Sequence, residues 1–313
     1  MRDDSTSLVS VLVVNYNGAK YLPDCLTALE RQSVPRQRFE VIVVDNHSAD
    51  VSVNVILTQF PWVKLIPLDY NSGFADGNNI AARHALGSTL ILLNNDTIPD
   101  PFWLEELLRV AAEHPNAAVA SKLVFAHDPT TINSAGLFLL RDGRGADRGF
   151  REPDQGQYER EEPVFAGCGA AILLPKPPDG EPLLDARYFV YYEDLDAGWR
   201  RRLAGLPCVY APRSLVRHVH GGAAGDQSPL FWFSVERNRA LTALRNADAF
   251  LALWCGIGLF AKVAQAFLTA ALGGRGPKRR WPVAWAVARA AGSYLWHAPR
   301  VLVERFVVRG QWM

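Results

Sequence analysis

Four short, β-branched runs, VSVLVV, VIVV (41–44), VKLIPL (63–68) and TLILLN (89–94), alternate with segments of helical period near the start of the chain. The intervening segments are YLPDCLTALERQ, VNVILTQF, FADGNNIAARHAL and PFWLEELLRVAAEH. Runs this apolar have no solvent face, so both of their faces must be covered by helices. The alternation predicts an α/β class, with a doubly wound, mostly parallel sheet in the first ~120 residues. Helix punctuation agrees, with Asp100-Pro101 as an expected N-cap and first-turn proline and Glu105 and Glu106 in the opening turns.

Where each apolar run stops, polar residues begin. The strand ends read Asn15-Tyr16-Asn17-Gly18, Asp45-Asn46-His47-Ser48, Asp69-Tyr70-Asn71-Ser72-Gly73 and Asn94-Asn95-Asp96. Turns and helix caps use the same residue types, and Asn46 and Ser48 fit a cap as well as a ligand contact. Four coincident cases favour a site, because ligands of open parallel sheets bind beyond the carboxyl ends of the strands. An aspartate after the second strand suits a base or ribose; one after the fourth suits a hard divalent cation on a diphosphate. There is no G-x-G-x-x-G after the first strand and no G-x-x-x-x-G-K-[ST] anywhere. These absences argue against a dinucleotide oxidoreductase and a P-loop phosphotransferase.

The second half is less regular. RDGRGADRGFREPDQGQYEREEP reads as a mobile loop, VFAGCGAAILLP (164–175) as a strand, and Asp194 to Ala204 as a helix behind the acids of YFVYYEDLDAGWRRRLAG. A strand, VYAPRSLVRHVHGG, puts His218 and His220 on one face. Helices are expected from Ser228 onward. A cluster such as Glu193-Asp194 supplies the carboxylate that general-base chemistry needs, although acids also settle at helix N-termini. Arg237 and Arg239 in VERNRA are candidates for phosphate oxygens, or for an exposed helix face.

At 313 residues the chain can bury a large core, and a net charge of +1 offers no global field for nucleic acid. Cys25, Cys168, Cys208 and Cys255 are widely spaced and read as reduced, small apolar residues. The polar start MRDDSTSL leaves no room for a secretory apolar region, which places the catalytic part in the cytoplasm. Ala249 to Gly274 is apolar apart from Lys262, Gln265 and Thr269, and a basic run with Arg275, Lys278, Arg279 and Arg280 follows. Contact with the cytoplasmic face of the membrane is therefore expected, while Lys262 argues against a clean span.

Taken in order, VSVLVVNYNGAKYLPDCLTAL, VIVVDNHSAD, NSGFADGNNIAARHA, LILLNNDTIPDPFWLEEL, FAGCGAAILL, YFVYYEDLDAGWRRRLAG and VRHVHGG resemble the family 2 inverting glycosyltransferases of GT-A fold. The nearest likeness is to bacterial rhamnosyltransferases of cell-surface polysaccharide assembly. The resemblance implies a catalytic domain over 1–246, with a nucleotide-sugar half (1–125) and an acceptor half (126–246), and a helical extension over 247–313. It implies that Asp45 contacts the nucleotide base with Asn15 and Asn17 nearby. Asn71, Gly73, Phe74 and Asn78 fall in the nucleotide-sugar loop, where Gly73 and Gly77 would let backbone approach the ligand, and Asn95 lies beside it.

Asn94-Asn95-Asp96 matches the D-x-D of the fold, so Asp96 would hold Mg²⁺ or Mn²⁺, with Asn94 in place of the first acid. An amide oxygen is a neutral and weaker ligand than a carboxylate. His218, or His220 beside it, would complete the metal shell. The family's E-D pair assigns the base to Asp194, with Glu193 positioning. The implied donor is a nucleotide-diphosphate sugar, first of all dTDP-rhamnose, and the implied acceptor is a glycan or lipid-linked glycan. A non-catalytic glycan-binding scaffold of the same fold is the alternative. A nucleotidylyltransferase would need a glycine-rich basic loop after the first strand, which Asn15-Tyr16-Asn17-Gly18 is not.

Overall fold

The computed structural model describes residues 8–178, 180–220, 228–272 and 280–310. The expected alternation is present as β1 (Val9–Asn15), α1 (Leu22–Glu30), β2 (Phe39–Asp45), α2 (Ser52–Gln59), β3 (Lys64–Pro67), α3 (Gly73–Arg83) and β4 (Thr89–Asn94). A short β5 (Thr97–Pro99) and α4 (Trp103–Glu113) follow. β1 lies between β2 and β4, parallel to both, and β3 extends the parallel set beyond β2. The chain therefore reverses its winding between β1 and β4, and the loops after these two strands flank the crevice where such sheets bind ligands.

Alternate side chains of β1 enter two cores. Val9, Val11 and Val13 pack with α1 and α4, whereas Leu12 packs with α3 on the opposite face. Burial on both faces explains why these strands read as unbroken apolar runs. Asp100 does not cap α4; its carboxylate accepts from Phe102 N and braces the turn ahead of Trp103.

The second half completes the mixed sheet. Its elements are β6 (Ala118–Phe125), β7 (Ile132–Ser134), a separate hairpin of β8 (Leu137–Leu139) and β9 (Gly145–Asp147), β10 (Glu162–Val164), β11 (Ala171–Pro175), α5 (Glu193–Leu203) and β12 (Cys208–His218). β11 inserts between β4 and β6, antiparallel to both. The apolar stretch 164–175 is thus two strand pieces, because residues 165–170 leave the sheet to meet α5. The run 141–163 is ordered rather than loose. Arg148 lies 4.8 Å from both the Tyr158 and Tyr210 rings and binds Glu162, while Lys122 is bridged by Asp154 and Glu159. Its charges are matched to each other and to β6, which composition alone does not disclose.

Three helices close the chain: α6 (Pro229–Asn246), α7 (Ala249–Ala271) and α8 (Arg280–Gly310). They share an apolar core of Leu241, Leu244, Leu259, Val287, Tyr294 and Val301. α6 ends at the expected boundary at 246; it packs on α7 and α8 and is also ion-paired to α5 through Arg245 and Asp196.

Candidate active site

The strand ends converge as expected, but in two shells. The inner shell is a relay of buried polar groups. Asn95 Nδ2 donates to Asn15 Oδ1 at 2.7 Å, and Asn15 Nδ2 donates to Asp45 Oδ1 at 2.7 Å. Asp45 also accepts from the hydroxyl and amide of Ser48, and Asn17 Oδ1 accepts from Ala49 N. Asn15 and Asp45 are almost wholly buried, so they tie the loops after β1, β2 and β4 together from behind. Gly18 sits against this relay: an added Cβ would lie 2.1 Å from Asn95 Nδ2 and 2.2 Å from Asn15 Oδ1.

In front of the relay is a cavity of about 620 Å³. Among the expected residues it is lined by Asn71, Gly73, Phe74, Asn94, Asn95, Asp96, Glu193, Asp194, His218 and His220. Asn15, Asn17, Asp45 and Asn78 do not line it; Asn78 instead donates to Phe74 O within α3. Tyr16 and Asn46 take the facing positions from the ends of β1 and β2. Asn46 is neither a helix cap nor idle, since its amide holds Ser72 and the Gly73 carbonyl. Ser48 likewise braces Asp45 and leaves α2 to begin at Ser52.

The glycines of the Asn71–Asn79 segment act within the protein. Gly73 has φ +80°, and the amides of Gly73, Phe74 and Ala75 are taken by Asn71 Oδ1 and the Phe189 carbonyl. Gly77 lets α3 lie against Val14, where an added Cβ would come within 3.0 Å. Gly73 also lines the cavity, whereas Gly77 does not.

Glu193 and Asp194 open α5 at the cavity wall. Asp194 Oδ2 accepts from Gly169 N at 2.9 Å and Oδ1 from Leu195 N at 2.7 Å. These contacts fix the carboxylate and leave lone pairs on both oxygens. Burial pushes the Asp194 carboxyl above its ordinary range, and the two backbone donors oppose that shift. Glu193 is more deeply buried, its Oε2 has no hydrogen-bond partner among the described residues, and burial with the adjacent Asp194 charge raises its carboxyl strongly. Neither acid caps its helix, although Asp196 does lock α5 to α6. Asp194 nonetheless takes a first-turn amide of α5 through Leu195 N, so service at the helix end and a place on the cavity wall coexist.

Across the cavity, His218 Nδ1 meets Asn133 Oδ1 at 2.8 Å, which suits an Nδ1–H donor. That tautomer turns the Nε2 lone pair toward Asp96 Oδ1, 3.3 Å away. Two acceptors facing each other at this distance fit a shared cation, and a histidine whose other nitrogen donates to an amide oxygen is arranged as metal ligands are. The residues present therefore fit a divalent ion. His220, at φ 60°, stacks edge-on to His218 at 5.6 Å, consistent with the expected common face.

Arg237 and Arg239 are not brought to this site. Arg237 is buried and donates to the carbonyls of Arg187 and Tyr188 and to Asn238 Oδ1. Asn238 donates to the carbonyls of Tyr188, Val190 and Tyr191. Together they clamp a loop in which Phe189, Tyr191 and Tyr192 all hold φ between 63° and 73°. Strain of this kind persists only where surroundings over-determine it. Arg239 pairs with Glu236. Neither arginine lines the cavity.

The cavity's aromatic wall, Phe189, Tyr191, Tyr192 and Phe231, was missed, although the run YFVYY directly before the acids signalled it. Asp147 was missed because its segment reads as a loop. It lines the cavity, its Oδ1 has no hydrogen-bond partner among the described residues, and burial with the nearby Asp194 charge pushes its carboxyl from 3.8 up to about 6. A raised acid stabilises the fold below pH 3.8 relative to its state above pH 6. Asp147→Asn is therefore expected to raise the unfolding free energy above pH 6, by at most about 3 kcal/mol, with no gain below pH 3.8. Urea titrations with a chelator present check this.

A family model described as glycosyl transferase family 2 matches residues 10–173, just over half of the chain. The O-antigen biosynthesis protein RfbC of Myxococcus xanthus is 28% identical over 228 residues, 68% of this chain and 18% of that protein. The N-acetylglucosaminyl-diphospho-decaprenol L-rhamnosyltransferase of Mycobacterium tuberculosis is 28% identical over 244 residues, 70% of this chain and 78% of that enzyme. Among solved structures, S. aureus TarS 1–349 in complex with UDP superposes with TM-score 0.57 at 18% identity, covering 96% of this chain and 86% of that one. The mannosyltransferase PcManGT of Pyrobaculum calidifontis, in complex with GDP-Man and Mn²⁺, gives TM-score 0.55 at 19% identity, covering 94% of this chain and 89% of the other. The expected GT-A fold is thereby found.

Proposed function

Because the chain belongs to glycosyl transferase family 2, we propose that the cavity transfers a sugar with inversion from a nucleotide diphosphate to an acceptor hydroxyl, with Asp194 as the base. The observation that carries this reading is one cavity lined both by Asp194 and by the facing pair Asp96 and His218. The proposed donor is dTDP-rhamnose and the acceptor a cell-surface glycan or glycolipid, on the likeness to the mycobacterial rhamnosyltransferase.

Asp194 accepts the proton of the acceptor hydroxyl as that oxygen bonds to the anomeric carbon, and the bond to the diphosphate breaks with its electron pair leaving on phosphate oxygen. Gly169 N and Leu195 N hold the carboxylate in place, and its raised pKa makes it a stronger base than a solvated aspartate. Asp96 and His218 would hold a Mg²⁺ or Mn²⁺ ion, which supplies neutralisation of the departing diphosphate's charge. Phe74, Tyr191 and the wall around them exclude water that would otherwise compete with the acceptor.

The test is a calorimetric and thermal-shift panel of nucleotide sugars with purified protein, with and without divalent metal. One nucleotide class should bind in a metal-linked manner. Asp96→Ala should remove the linkage. Asn133→Ala, which frees His218 Nδ1, should weaken the metal by ~10- to 100-fold. Absence of any nucleotide binding would sink the catalytic reading and leave the scaffold.

A further inference from the structure

α7 and α8 carry large apolar residues on both sides, some in the core they share and many exposed. Their inward residues are mostly small, with Ala252, Cys255 and Gly256 on α7 and Ala284, Ala290 and Ala291 on α8 buried. Beside the buried Leu259, Val287, Tyr294 and Val301, many of the large apolar residues point outward. On α7 these include Phe250 at 78% exposed, Leu253, Trp254, Ile257 and Phe260, recurring at helical spacing over the first half of the helix, with Leu268 further on. On α8 they are Trp281, Trp285, Trp296 at 82% and Phe306 at 71%. Phe267 joins the two stripes, with its ring 6.1 Å from Trp281 and 5.2 Å from Trp285. Monomeric proteins rarely leave contiguous apolar faces of this kind to water.

Charge and packing identify what covers the face. The sequence joining the helices, GGRGPKRRW, has Arg275, Lys278, Arg279 and Arg280 and no acid. Four cations falling in sequence between two Trp-bearing apolar helices are a composition that matches an anionic lipid surface, with tryptophan at the headgroup level. α7 is long and apolar enough to cross a membrane. Its other side, however, is fastened to the catalytic unit. Cys255 Sγ contacts the Asp142 carbonyl at 3.5 Å, and Lys262 is drawn off the outer face to lie 5.4 Å from the Trp232 ring. A spanning α7 would carry these polar groups into hydrocarbon, whereas one lying in the interface leaves them in the protein.

We propose that α7 and α8 form a platform that docks in the plane of an anionic bilayer. α6 packs on both and contributes Leu230, Phe231 and Val235 to the cavity wall, so platform and cavity share one helix. The docking itself does not depend on the sugar-transfer reading, since it is measured without any substrate.

The test is co-sedimentation of the full chain with vesicles of phosphatidylcholine alone and of phosphatidylcholine with phosphatidylglycerol. The chain should pellet with the anionic vesicles and lose that association in high salt. Trp254→Gln with Trp296→Gln should lower the partition coefficient by ~10-fold or more, at an unchanged thermal midpoint that reports an intact fold. Arg275→Glu with Lys278→Glu should lower it on the anionic vesicles alone. No association with either vesicle would overturn the proposal, as would association that the tryptophan variant leaves unchanged. A dimer in light scattering that the same variant dissociates would show instead that a second copy covers the face.

Discussion

Replacing Asp194 by Asn will cut sugar transfer by ~10²- to 10⁴-fold while nucleotide affinity stays within a few-fold of the parent. Asn is nearly isosteric, and its carbonyl oxygen can still accept from Gly169 N or Leu195 N, so the start of α5 keeps its place. What it loses is the second acceptor oxygen and the capacity to take a proton. Donor affinity survives because Asp96 and His218 stand on a different wall and are unchanged. The pH profile adds a reading that a purely structural role would not move. Transfer needs the ionised carboxylate, and burial raises its pKa, so activity should fall on the acid side through a limb above the ordinary 3.8. Residual activity of the variant should lack that limb. Single-turnover rates near the parent's would remove Asp194 as the base.

Arg245→Leu is expected to destabilise the protein by about 3–5 kcal/mol. Arg245 Nη1 binds Asp196 at 3.0 Å, and Nη2 binds Asp185 at 2.5 Å and Glu304 at 2.6 Å, tying α5, the loop before it and α8 to α6. Asp196 is wholly buried, so removing its partner leaves a charge that Arg200 and Asn246 only partly satisfy. Arg109 provides the contrast. It bridges Glu106, Glu113 and Glu161 at the surface, and Arg109→Leu should cost less than about 1 kcal/mol. Urea midpoints of the two variants decide the matter, because equal losses would mean that the buried network behaves like a solvated one. Arg187 and Arg245 hold the Asp185 carboxyl well below its usual range, so the network's stabilisation is present above pH 3.8 and declines as pH falls below it.

Local pattern was enough to place β1 to β4, the polar strand ends and Glu193-Asp194, because period and strand-end chemistry are properties of neighbouring residues. Arg237 was misread for the opposite reason. On its helix it looks like a free cation, and only the return of residues 187–191 beneath α6 gives it carbonyls to hold. Asp147 escaped notice because nothing near it in the chain shows that β8 and β9 fold back beside α5. Lys262 looked like a flaw in an apolar helix until Trp232 appeared beside it.

The amino-acid order by itself determined the α/β winding and the set of acids at its crevice, since hydrophobic period and turn chemistry act over a few residues. Tertiary structure alone decided which polar groups became braces, as Asn15 and Asp45 did, and which turned into the cavity, as Asp96 and Asp194 did. A buried polar atom must find its partner somewhere in the folded chain, and that partner is usually distant in sequence.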